Sequence, residues 1–207
     1  MKKEAYELSK KKYGHCASWA IWALPEVWSG TGSKANMDDV SFFDDDQVHT
    51  KLNPNIVLLA LNFSKKITFK NKFQNFHDGG KASGGAYKLR LMLKDTSFWG
   101  AYMTDIIKDL PEKDANKAYK IWKNDPVLRR KSLETFDQEL KDIGSVNPLI
   151  VCFGKNVFEI AQEHLSSKYK KIVEATHYSY RGGKYKPWSD EKSIEEMHKI
   201  IEDYERN

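Results

Sequence analysis

Ile56-Val57-Leu58-Leu59-Ala60-Leu61-Asn62 is a run of six apolar residues closed by an amide. Such a run, without polar alternation, is what a parallel strand covered on both faces requires; a strand with one wet face alternates. A second such run and a further strand follow along the chain. Leu149-Ile150-Val151-Cys152-Phe153 stops at Gly154, and Lys171-Ile172-Val173-Glu174-Ala175 leads into Thr176 and His177. A shorter strand is expected at Ala101-Tyr102-Met103, closing on Thr104-Asp105.

Segments of helical period separate these runs. Tyr87 to Lys94 places Leu89, Met92 and Leu93 on one face and Lys88, Arg90 and Lys94 on the other. The charged, amphipathic stretch from Glu112 to Ile143 predicts one or two helices, punctuated by Pro126 and Gly144. Val157, Ile160, Ala161 and Leu165 mark another, and Asp190 to Glu205 a last one that buries Ile194, Met197, Ile200 and Ile201. This alternation predicts an α/β fold, a three-layer α/β/α sandwich around a central, mostly parallel four-stranded sheet with right-handed crossovers. With 207 residues, 40% hydrophobic and 13% aromatic, the chain suits a single domain, residues 1–207. Within it, residues 1–53 are expected to be helical or irregular and to pack Trp19, Trp22 and Trp28 on the core of residues 54–207.

Composition narrows the function. Thirty-four basic against 29 acidic residues leave a net charge of +5, a mild excess that suits an anionic partner without demanding one. The two cysteines, Cys16 and Cys152, supply neither a disulfide framework nor a four-cysteine cluster. The charged start Met1-Lys2-Lys3-Glu4 has no long apolar core behind it, so neither a secretory signal nor a membrane span is expected. The expectation is a soluble, intracellular, cytoplasmic monomer that does not engage a membrane. Asp44-Asp45-Asp46 reads as a solvated loop, since three consecutive carboxylates cannot converge on one cation. No metal and no cofactor is expected.

In open parallel sheets ligands sit beyond the carboxyl ends of the strands. That rule singles out Asn62, Asp105 and His177. Each also has a plain role: Asn62 as a turn former, Asp105 as a cap on a helical turn at Ile106-Ile107-Lys108, His177 as a loop hydrogen-bonder. Phe73 and Phe76, in the loop after the first strand, read as stacking platforms or core. His77-Asp78 reads as an acid-base pair or as two unrelated loop residues. Gly79-Gly80-Lys81-Ala82-Ser83-Gly84-Gly85 matches neither the dinucleotide nor the P-loop spacing.

Taken in order, Ala60-Leu61-Asn62-Phe63, the glycine-rich stretch into Lys88-Leu89-Arg90, Tyr102-Met103-Thr104-Asp105-Ile106-Ile107-Lys108, Gly154, and His177-Tyr178-Ser179 resemble the uracil-DNA glycosylase superfamily across residues 54–185. Phe63 and Tyr178 stand where the family places proline, so loop geometry there departs from the family's. The resemblance implies hydrolysis of the N-glycosidic bond of a deaminated or modified base flipped out of DNA, with Asn62 and His177 catalytic. It implies contacts to the base from Asp105, Phe76, Phe73, Phe63 and Ser179, and to DNA from Tyr180, Arg181, Lys184 and Lys186. Such chemistry needs a stacked, extruded nucleotide, a donor for the charge arriving on the departing base, and a water on the far side of the sugar. An ionised Asp105 only accepts hydrogen bonds, so O4 of uracil would be repelled and hypoxanthine or another modified base favoured. Two other readings stay open: a catalytically silent nucleic-acid- or protein-binding member of the same fold, and an unrelated α/β domain binding a nucleotide or small anion through the Gly79–Gly85 loop.

Overall fold

The computed structural model describes residues 1–28, 34–63, 69–77, 85–108, 110, 112–183 and 186–206, with backbone alone at 183, 186 and 187. In chain order the elements are α1 (Lys3–Lys12), β1 (Ser18–Trp19), two 3₁₀ turns (Ser41–Asp44 and Val48–Lys51), β2 (Asn53–Asn62), α2 (Tyr87–Leu93), β3 (Ala101–Ile107) and α3 (Ala115–Asn124). There follow α4 (Pro126–Asp142), β4 (Leu149–Phe153), α5 (Lys155–His164), β5 (Lys171–Ala175), a short ribbon of β6 (Gly182–Gly183) and β7 (Lys186–Pro187), and α6 (Asp190–Glu205).

The main sheet has five strands in the order β1-β3-β2-β4-β5, one more than the four expected. Four are mutually parallel, and β1 runs antiparallel to β3 through Ser18↔Met103 and Trp19↔Tyr102. Two residues are too short to leave a period in the sequence. Trp19 is fully buried and its ring lies 4.7 Å from that of Tyr102, so burial of one large aromatic side chain anchors the added strand. The amino-terminal region therefore extends the sheet as well as packing on it.

β2 shows why an unbroken apolar run was needed. Val57, Leu59 and Leu61 enter one hydrophobic cluster with Tyr6 of α1, Trp122 of α3, Phe136 and Leu140 of α4, and Val157 and Ile160 of α5. Ile56, Leu58 and Ala60 enter the other, with Leu89 and Met92 of α2 and Met197 and Ile201 of α6. Alternate residues thus point to opposite faces, and helices meet both.

Helix boundaries follow from local chemistry. Asp125 separates α3 from α4, and its carboxylate accepts the N–H groups of Val127 and Leu128. Pro126 sits at the first helical position, where its missing N–H costs nothing. Between β4 and α5 the turn is made by Gly154 at φ +95°, a conformation glycine adopts without a Cβ clash.

The largest departure from expectation concerns β3, which continues through Thr104 and Asp105 to Ile107. Ile106 and Ile107 are strand, so Asp105 does not cap a helical turn. Ala60 pairs with Asp105 and Asn62 with Ile107, which sets Asn62 and Asp105 on neighbouring strands at one rim of the sheet. Among the described residues no helix is long and apolar enough to cross a membrane.

Candidate active site at the carboxyl ends of the strands

Asp105 is 5% exposed. Its Oδ2 accepts a hydrogen bond from Asn75 Nδ2 at 3.2 Å, and its carboxylate also takes the Asn62 backbone N–H. Burial pushes the acid up to about 7, against the downward pull of the Lys108 charge and the two hydrogen bonds, with Glu139 adding to the rise. Near neutral pH it is therefore present both as an acid that donates and as a carboxylate that accepts.

Asn62 ends β2. Its Nδ2 donates to the Glu112 carbonyl at 2.6 Å. Its Oδ1 is buried and has no hydrogen-bond partner among the described residues. A buried carbonyl left unpaired costs about 1–3 kcal/mol, which a water or ligand N–H would recover.

The imidazole of His177 is fixed from the loop that follows β5. Nδ1 accepts the Ser179 backbone N–H at 3.1 Å and lies 2.8 Å from Ser179 Oγ. A nitrogen that accepts a backbone N–H carries a lone pair, so the ring proton of neutral His177 sits on Nε2 and is free to be donated. Burial lowers the His177 pKa to about 4, which keeps the ring neutral across the physiological range. Ser179 thus orients His177.

Tyr178 connects these groups. Its ring stacks on His177 at 4.4 Å and meets Phe153 edge-on at 5.4 Å and Phe76 at 6.3 Å. Its phenol is held above the usual range by burial and by the Asp105 charge. Asn62 and Asp105 meet directly; His177 joins them through Tyr178. The amide, the acid and the imidazole therefore share one rim.

Other expected site residues fall elsewhere or in different roles. Phe76 is buried beside Tyr178 in a left-handed conformation (φ +66°), and its carbonyl accepts the Trp22 indole N–H at 3.3 Å. Phe73 offers no platform: it is completely enclosed, 5.8 Å from Tyr6 and 5.1 Å from Phe43. Phe63 is buried, its N–H continues the β2–β3 ladder to the Ile107 carbonyl at 2.8 Å, and its ring lies 6.2 Å from Phe69. Tyr180 is 49% exposed and rests 5.9 Å from Trp188, with Arg181 exposed beside it. Lys184, Asp78 and Gly79–Gly84 lie outside the described residues, and Lys186 is described by its backbone only. His77 is fully buried with Nε2 2.7 Å from the Ile21 carbonyl and Nδ1 3.0 Å from the Asn75 carbonyl, a structural pin.

Asn75 and Glu139 had no signal in the sequence, and Lys108 entered only as the last residue of the Tyr102–Lys108 stretch. Asn75 is one of many polar loop residues; its Nδ2 also donates to the Cys16 carbonyl at 2.6 Å, which ties the loop to the amino-terminal segment. Lys108 and Glu139, 2.8 Å apart and both buried, sit on different elements. Among the described residues there is no group of three or more His, Cys, Asp or Glu side chains that could hold a metal ion. Comparison with protein-family models, with curated proteins and with solved structures finds no match.

Proposed function

We propose that this rim is the active site of a DNA base-excision N-glycosylase of the uracil-DNA glycosylase type, built on a three-layer α/β/α sandwich. The observation that carries this reading is the buried, unpaired Oδ1 of Asn62, whose backbone N–H meets the Asp105 carboxyl at the ends of adjacent parallel strands. In the proposed step the N-glycosidic bond breaks and its electron pair leaves with the base. Nε2–H of neutral His177 donates to the base oxygen where that charge collects, a contribution of about 3–4 kcal/mol for a well-placed donor. A water accepted by Asn62 Oδ1 bonds to the sugar carbon and loses its proton to solvent.

Asp105 reads the base edge in this scheme. Its acid form donates to a base oxygen and its carboxylate accepts from a ring N–H or amino group, so the expected rejection of uracil applies only above about pH 7. Tyr178, backed by the buried Phe76, supplies aromatic surface, and Tyr180 with Arg181 an exposed aromatic and basic edge toward DNA.

The stacking of Tyr178 on His177 favours a second reading, a binding module of the same fold in which Tyr178 occupies the base's place. A panel of uracil, hypoxanthine and other lesion oligonucleotides, single- and double-stranded, scored for abasic sites beside His177→Ala, separates the two. Release of at least one base, lost in the variant, is the expected result. No abasic product from any lesion, together with retained oligonucleotide binding, would assign the chain to the second reading.

A further inference from the structure

Behind the rim lies a buried ionic network with no part in the step just described. Glu139 of α4 is completely buried, its Oε1 accepting Tyr102 Oη–H at 2.7 Å and Thr104 Oγ1–H at 3.0 Å. Its Oε2 lies 2.8 Å from Lys108 Nζ, itself 9% exposed, and Lys108 in turn donates to the backbone carbonyl of Asp105 at 2.5 Å. Four residues in or just beyond β3 are thereby tied to a single carboxylate. Replacing a buried ion pair by apolar side chains is often neutral or stabilising, so stability alone does not explain its presence.

We propose that Lys108 and Glu139 are positioning residues for Asp105: Glu139 holds the Lys108 ammonium against the backbone carbonyl of Asp105, so that one cation balanced by one anion stands behind the acid. The inference rests on the reading of Asp105 as the group that meets the base. Among the described residues, the groups acting on Asp105 are Lys108 at the end of its own strand, Glu139 from α4, Asn75 from the loop after β2, the Asn62 N–H from β2, and Tyr178 from the loop after β5. Asn75 and the Asn62 N–H are neutral. Burial holds Tyr178 in its protonated form. The two residues of the pair are thus the nearby charges that decide the balance, and they pull in opposite directions: Lys108 favours the carboxylate and Glu139 disfavours it.

The test is a pH titration of the Asp105 carboxyl by ¹³C NMR on the whole chain, assigned with Asp105→Asn, in wild type and three variants. Glu139→Gln keeps an acceptor for Tyr102 and Thr104 and removes the anion, so the midpoint is expected to fall by about one pH unit. Lys108→Met is expected to raise it by a similar amount, and Lys108→Arg to restore it. Where Lys108→Met does not fold, Lys108→Met/Glu139→Gln leaves no charge unpaired and is expected to lie within about half a unit of wild type. A folded Glu139→Gln protein whose midpoint does not move would overturn the proposal. The base-release panel tests a separate matter: no release with a shifted midpoint sinks the glycosylase reading alone, whereas release with an unmoved midpoint sinks the positioning pair alone.

Discussion

At the scale of single residues, the site is defined by which lone pairs and protons remain free once local bonds are made. Ser179 consumes the Nδ1 lone pair of His177, leaving Nε2–H to donate. A ¹⁵N spectrum is expected to show unprotonated Nδ1 and protonated Nε2 at pH 7. In Ser179→Ala the hydroxyl contact is lost and the backbone N–H stays, so base release is expected to slow by roughly tenfold, about 1.4 kcal/mol. Asn75 illustrates the converse, a side chain whose bonds are all used: Nδ2 binds the Cys16 carbonyl and Asp105, and Oδ1 accepts the Phe76 N–H at 3.1 Å. Asn75→Ala removes those three bonds, and urea unfolding is expected to show a loss of about 1–3 kcal/mol. None of this was legible in the sequence. Asn62 and His177 were visible because apolar runs end beside them, whereas the partners of Asn75 lie 59 and 30 residues away and leave no local pattern.

At the scale of elements, the strands that read correctly were β2 and β4, buried on both faces, and the half-exposed edge strand β5, together with helices whose apolar residues recur on one side. β3 read short because Thr104 and Asp105 interrupt its apolar run. Its polar residues are tolerated inside the sheet because Glu139, 35 residues from Thr104, satisfies the hydroxyl, and Asn62 and Asn75 serve the carboxyl. The start of β3 is set by Gly100 at φ +89°, whose N–H donates to the Ala20 carbonyl and whose carbonyl accepts the Asn53 N–H, each at 2.8 Å. A Cβ there would lie 2.2 Å from the Lys51 carbonyl oxygen, whereas at Gly144 (φ +72°) it would meet nothing within 4 Å. Gly144→Ala is expected to cost about 1–2 kcal/mol from backbone strain alone, and Gly100→Ala clearly more because backbone must also move. Chemical denaturation of the two variants side by side checks the order.

At the scale of the whole molecule, His77, His177 and Asp105 are described residues whose burial couples folding to pH between about 4 and 7. His77 and His177 have folded pKa values near 4 against 6.5 when unfolded, so the unfolded chain binds more protons between those values. Stability from each is complete above pH 6.5 and declines on acidification toward pH 4, by on the order of 3 kcal/mol. Asp105 acts in the opposite sense, since its folded pKa of about 7 exceeds 3.8 and the native state holds the extra proton in that window. Its burial therefore costs stability as pH rises from 3.8 to 7. In Asp105→Asn this opposing contribution is gone, and the fall in unfolding free energy between pH 6.5 and 4 is expected to be steeper than in wild type.

On the proposed reading, the amide of Asn62 and the imidazole of His177 act on one extruded base. Single-turnover release from one lesion oligonucleotide, compared across wild type, Asn62→Ala and His177→Ala, addresses it most directly. The expected result is release by wild type and a loss of about a hundredfold or more in each variant, with all three proteins folded and binding the oligonucleotide alike. Release that is unaffected by either substitution would contradict the account.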